Sequence, residues 1–145
     1  HIPQSPSIGT LQQGLRHSLH IALIANPQPD RAYPWADVYA PEYANTSETR
    51  LGNTNPAGCF LSGVSPYGIE EMSGNVWEWT ADCYGANYYQ SGPGRNPTGP
   101  EDKQCTFRSV RGGSWYNPPA YARASYRRWY DPGRRNVNLG ARCVQ

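Results

Sequence analysis

Asn75-Val76-Trp77-Glu78-Trp79-Thr80 carries the strand pattern around which the architecture is organised. Its side chains alternate as those of a strand do, with Val76 and Glu78 on the face opposite Trp77 and Trp79. Outward from it, Phe107 to Trp115 and Asn138 to Val144 read as two further strands. Leu11 to Ala25 places apolar residues at three- and four-residue spacing before Asn26-Pro27, so it is expected to form a helix covering one side of the core. Between helix and strand, residues 28–63 are mostly turn chemistry. Gly (15) and Pro (14) make up about a fifth of the 145 residues, while Tyr (11) and Trp (5) are abundant. Order must therefore come from aromatic packing across many turns rather than from long helices. The expectation is one loop-rich domain over residues 1–145.

Thirteen basic and eleven acidic residues leave a net charge of +2, too weak a balance to drive nucleic-acid binding by phosphate neutralisation. No run approaches the roughly 20 apolar residues that span a bilayer, and His1-Ile2-Pro3 reads as a processed start. The four cysteines, Cys59, Cys83, Cys105 and Cys143, are widely spaced with no C-x-x-C pair, which points to two disulfides rather than a zinc site. Four thiols permit three pairings. Cys83 and Cys105 bracket a Gly/Pro/Asn-rich segment that closure would tie down, which favours Cys83 with Cys105 and Cys59 with Cys143. Reduced, buried thiols in a cytosolic protein are the competing reading.

Tyr33-Pro34-Trp35, then Ser65-Pro66-Tyr67-Gly68 running into Met72-Ser73-Gly74-Asn75-Val76-Trp77-Glu78-Trp79, is followed by Arg108-Ser109-Val110-Arg111-Gly112-Gly113-Ser114-Trp115 and Leu139-Gly140-Ala141-Arg142-Cys143-Val144. In this order the blocks resemble the formylglycine-generating-enzyme (sulfatase-modifying factor) family from about Arg31 to Val144. The resemblance implies an α+β fold of C-type-lectin-like type, with short antiparallel strands, one or two helices and much irregular chain. The family's usual N-terminal portion has no counterpart here.

The active enzymes of that family place two redox cysteines shortly after the R-G-G-S block, where this chain reads Tyr116-Asn117-Pro118-Pro119-Ala120-Tyr121-Ala122-Arg123. Relatives that oxidise sulfur compounds use an iron held by histidines, and His1, His17 and His20 all fall outside the matching blocks. The resemblance with these departures leads to the expectation of a non-catalytic protein with no redox cofactor. The family's pattern also places a calcium site at Glu71, Gly74, Val76 and Glu78, two carboxylates and two backbone carbonyls of the hard-oxygen kind that Ca²⁺ takes.

Trp115 to Tyr130 holds four tyrosines and two tryptophans, a mixture of rigid aromatic and adaptable polar groups suited to recognition. Tyr116, Asn117, Tyr121, Ser125, Arg128 and Trp129 are expected to face a ligand. Tyr130, Asp131, Arg134, Asn136 and Asn138 continue the same surface. The segment also resembles the diversified region of variable proteins encoded by diversity-generating retroelements, which implies a variable ligand-binding region at residues 111–144 on a fixed scaffold. The expected partner is a protein or cell-surface ligand, met at a cell surface, outside the cell or on a virion. A sulfatase-modifying-factor-like oxidase remnant and a calcium-dependent carbohydrate-binding module are the alternatives.

Overall fold

The structure is a computed structural model and describes residues 31–92, 99–100, 103 and 105–142. The expected helix at Leu11 to Ala25 lies outside the described residues, as do His1, His17, His20 and Cys143. Four strands form one sheet: β1 (Trp77–Cys83), β2 (Arg108–Arg111), β3 (Arg128–Tyr130) and β4 (Leu139–Gly140). Their order is β3-β2-β1-β4, antiparallel except for the parallel pair of β1 with β4. A four-residue helix, α1 (Tyr88–Ser91), follows β1. This is the loop-rich α+β arrangement expected of the sequence.

β3 is not among the three expected strands, and β1 and β2 depart from their expected bounds for local reasons. β2 stops at Arg111 because Gly112 and Gly113 both take left-handed backbone, φ +88° and +73°. β1 starts at Trp77, after Gly74 (φ +81°) and Asn75 (φ +60°) have turned the chain. A Cβ on Gly74 would stand 2.5 Å from the Asn45 carbonyl oxygen, so both conformation and close approach require glycine there. Asn75 N–H donates to that same carbonyl at 2.8 Å, and Gly74 N–H donates to Gly112 O at 2.7 Å.

Pairs Trp79↔Val110 and Cys83↔Arg108 enclose a bulge in β1, which breaks the two-residue alternation beyond Trp79. Thr80, Asp82 and Cys83 are consequently all buried. Upstream of it the expected alternation holds: Trp77 is wholly buried, whereas Val76 and Glu78 line a cavity on the other side.

The core is built of few large apolar groups and many paired polar ones. Trp77 and Val110 are fully buried with Asn45, Thr46, Ser109 and Ser114. Tyr33, Trp35 and Tyr43 stack in series, with ring centroids 5.3 and 5.2 Å apart, so the Tyr33-Pro34-Trp35 block caps the core with aromatic faces.

Cys83 and Cys105 form a disulfide across a sequence separation of 22. Cys143, the expected partner of Cys59, lies outside the described residues; Cys59 itself carries a free thiol, exposed beside the turn at Ala57-Gly58. Native protein should therefore react with a thiol reagent at Cys59 and not at Cys83 or Cys105. Reduction should lower stability by roughly 3 kcal/mol, the closure entropy of a loop of this length, measured by urea unfolding with and without reductant. Labelling of Cys83 in unreduced native protein would refute the pairing.

Candidate functional site: an aromatic-cationic edge on a buried polar frame

The expected ligand-facing residues divide into a frame and a display layer. In the frame, Asn138 Nδ2 donates to Ser114 Oγ at 3.2 Å, and Ser114 Oγ donates to Asn117 Oδ1 at 2.6 Å. Asn117 Oδ1 also accepts the Trp77 indole Nε1–H at 2.8 Å. The Asn117 carbonyl accepts from Ser47 N at 3.0 Å and the Asn138 carbonyl from Trp77 N at 2.9 Å. Asn138 is only 9% exposed. The reading of Asn117 and Asn138 as ligand-facing is corrected: the Asn117 amide oxygen accepts from two inward-facing donors, and the buried Asn138 amide donates inward to Ser114 while its own Oδ1 has no partner. Tyr121 is half-buried, edge-on to Trp77 at 6.3 Å and 4.8 Å from the Tyr126 ring.

The display layer is Tyr116, Ser125 and the edge strand β3 with the turn after it. Tyr116 is 69% exposed and Trp129 44%. Ser125, Arg128, Asp131, Arg134 and Asn136 are exposed as well, and Tyr130 is half-buried. Asp131 Oδ1 accepts from Gly133 N, and Asn136 Oδ1 from Val137 N, both at 2.8 Å, so these two side chains shape the turn.

β3 then divides its own side chains between two faces. On one face the Arg128 and Arg134 guanidiniums lie 5.5 and 5.9 Å from the Tyr130 ring centre, and Tyr130 meets Trp79 edge-on at 6.4 Å. On the other, Trp129 packs on Phe107 at 4.2 Å and near Tyr84 at 6.2 Å. The residues expected to face a ligand thus do not form one continuous surface.

Several residues of this edge were invisible to sequence reasoning. Arg127 lies between the Tyr84 and Tyr89 rings, 4.5 and 4.3 Å from their centres, and donates to Gly85 O at 2.8 Å. Its partners are some forty positions away, and no local pattern announces them. Arg111 is 4% exposed and donates to the carbonyls of Ala124 and Ser125, just ahead of β3. Burial pulls its pKa down to about 10. It positions the display strand from beneath.

A second feature lies on the opposite side of β1. Glu71, Gly74, Val76 and Glu78, the four residues expected to hold calcium, border one cavity of about 190 Å³ together with Ala57, Asn75, Ala141 and Arg142. Glu71 sits in left-handed backbone, φ +55°. Its Oε1 accepts from Asn55 Nδ2 at 3.2 Å, while its Oε2 is buried with no partner, and burial pushes the carboxyl above the ordinary glutamate range. Arg142 forks the Glu78 carboxylate, Nη2 to Oε1 at 2.7 Å and Nε to Oε2 at 3.2 Å, and Nη2 also donates to Glu71 O at 3.0 Å. The orphaned oxygen and the oxygen-only donor set fit a hard cation such as Ca²⁺. Asn55 and Arg142 belong to this cluster and were not expected. Among the described residues no three or more His, Cys, Asp or Glu side chains meet in a cluster that could hold a metal.

The model of the sulfatase-modifying factor enzyme 1-like domain matches residues 23–145. The chain is similar to a hercynine oxygenase of Mycobacterium tuberculosis, 36% identical over 120 residues, which is 79% of this chain and 27% of that protein. It is similar to a formylglycine-generating enzyme of Streptomyces coelicolor, 30% identical over 130 residues, 79% of this chain and 40% of that one. Among solved structures, Treponema denticola variable protein 1 superposes with a TM-score of 0.74 at 23% identity, over 88% of this chain and 45% of that chain, a likeness of fold. The chain thus spans between about a quarter and two-fifths of the length of these two curated relatives. These relatives overturn the expectation of a non-catalytic protein, since they are enzymes at 36% and 30% identity. Missing thiols next to the R-G-G-S block bear on one chemistry only, and a chain covering 27% of an oxygenase need not hold all of its reacting groups.

The frame and the display layer should respond oppositely to substitution. Asn117→Leu leaves the Trp77 indole N–H and the Ser114 hydroxyl without their acceptor and should cost about 2–3 kcal/mol. Tyr116→Ala should stay within about 0.5 kcal/mol of the parent in the same urea titration. Equal effects would contradict the division.

Proposed function

We propose that this chain, which belongs to the sulfatase-modifying factor enzyme 1-like domain family, is a ligand-recognition domain whose exposed edge displays variable side chains on a constant scaffold. One observation carries the reading. Tyr116, Arg128, Trp129, Arg134 and Asn136 reach solvent, while the residues at both ends of the segment, Ser114 and Asn138, are buried in one hydrogen-bonded chain. Substitutions at the exposed positions leave the buried Ser114–Asn117–Asn138 hydrogen bonds intact, so the backbone stays pre-organised and binding costs little ordering entropy. Aromatic and arginine side chains dominate the edge, the types that supply most binding energy at protein interfaces. The partner is accordingly a protein or another cell-surface ligand. The Cys83–Cys105 disulfide supports display in an oxidising compartment outside the cytoplasm, and among the described residues no helix is long and apolar enough to cross a membrane.

The coding locus tests this reading. A reverse transcriptase should lie beside a near-copy of the codons for about residues 111–144, differing at adenines. The differences should fall on exposed positions such as 116, 128 and 134 and leave Asn117 and Asn138 unchanged. A locus without such a copy, or differences concentrated on the frame, would count against it.

A second reading draws on the 36% identity to a hercynine oxygenase: the chain contributes a substrate-facing part of an oxidising enzyme, with half-buried Tyr121 beside Trp77 as its wall. Hercynine-dependent oxygen uptake by the purified chain, lost in Tyr121→Ala, would favour it. Hercynine that changes neither oxygen uptake nor tryptophan fluorescence would eliminate it.

Calcium is the cofactor proposed, held by the Glu71 and Glu78 carboxylates and the carbonyls of Gly74 and Val76, where it would tie the turn to β1 and supply no reaction chemistry. Millimolar calcium should raise Tm by about 2–4 °C. Glu78→Gln should abolish that shift, and a Tm indifferent to calcium in every variant would refute the site.

A further inference from the structure

The cavity on the Glu78 side of β1 already contains a cation of the protein's own. Arg142 engages both oxygens of Glu78 and the carbonyl of Glu71, at 2.7 to 3.2 Å. It arrives there from the segment just after β4, which pairs in parallel with β1 at Trp77↔Leu139 and Glu78↔Gly140. The Arg142 and Glu78 side chains are 33% and 17% exposed, so their pairing is partly shielded from water.

Charge counting sets the terms. Two carboxylates and one guanidinium leave the cavity at −1, and a dication added to all three would bring it to +1. Without the guanidinium, two carboxylates and a dication sum to zero. A calcium ion at the Glu78 oxygens would also lie within a few ångströms of the guanidinium, and repulsion at that distance is strong wherever water is partly excluded. A metal on Glu78 would draw on the same two carboxylate oxygens that Arg142 engages.

We propose that Arg142 is a built-in counter-ion that competes with calcium for Glu78, so that metal binding releases the guanidinium and Arg142 sets the calcium affinity of the domain. The orphaned Glu71 Oε2 fits this arrangement: Arg142 reaches the Glu71 carbonyl but leaves that carboxylate oxygen unpaired. The inference rests on the calcium reading above and goes beyond it, because a residue that merely oriented Glu78 for the metal would have the opposite effect on affinity.

Isothermal titration of the whole chain with calcium chloride decides between them, comparing the parent with Arg142→Gln and Glu78→Gln. The expected result is at least tenfold tighter binding by Arg142→Gln and none by Glu78→Gln. Weaker or unchanged binding by Arg142→Gln, with the parent still binding, overturns the competition and leaves the calcium site standing. Absence of binding in the parent and in Arg142→Gln alike overturns both. Should Arg142→Gln be unfolded without metal, added calcium should restore its near-ultraviolet circular dichroism to that of the parent. Failure to restore it overturns the proposal.

Discussion

The bond on which most of this structure depends is the one from the Trp77 indole to Asn117. Trp77 is fully buried at the start of β1, and its ring fills the space between the sheet and the segment after Gly113. Burying an indole stabilises the fold by the apolar area it removes from water, but only when its N–H finds an acceptor. Asn117 supplies that acceptor, and its own backbone bonds to Ser114 and Ser47 keep it in place. The backbone of Trp77 meanwhile donates to Asn138, which draws β4 alongside β1. One residue thereby joins its own strand to two segments that are 40 and 61 positions away from it in the chain.

This explains a core with few large aliphatic groups. Asn45, Thr46, Ser109 and Ser114 are buried as deeply as Val110, and turns such as that at Gly74 and Asn75 leave backbone groups that no regular strand could pair. Buried amides and hydroxyls satisfy them. A core of this kind is specific in a way a purely apolar one is not, because each polar member must meet a particular partner. It leaves the turn after the edge strand exposed, while Trp129 and Tyr130 of that strand still pack on Phe107 and Trp79.

β1 separates two features of different chemistry. Its Trp77 and Trp79 side faces the frame and the Tyr130 ring, and its Val76 and Glu78 side faces the Arg142 cavity. A strand alternates by geometry, so a single hexapeptide faces the hydrogen-bonded frame on one side and an ion-paired pocket on the other. The relatives named above are enzymes, of which this chain spans about a quarter to two-fifths.

Sequence by itself determined the family, the loop-rich α+β fold, the strand at Trp77 and the two faces it presents, because these are local properties: alternation, turn residues and contiguous blocks of Gly and Trp. The pairing of Cys83 with Cys105 was legible for a similar reason, since the two bracket a segment that needs its ends tied. Only the tertiary structure decided that Asn117 and Asn138 belong to the interior, that β3 sends Trp129 and Tyr130 to different faces, and that Arg111 supports the edge from below. It alone brought Arg127 between Tyr84 and Tyr89, and Arg142 to Glu78. An asparagine looks the same in sequence whether it meets solvent or a buried indole; the difference lies in a donor 40 residues away, which becomes its neighbour only when the sheet has formed.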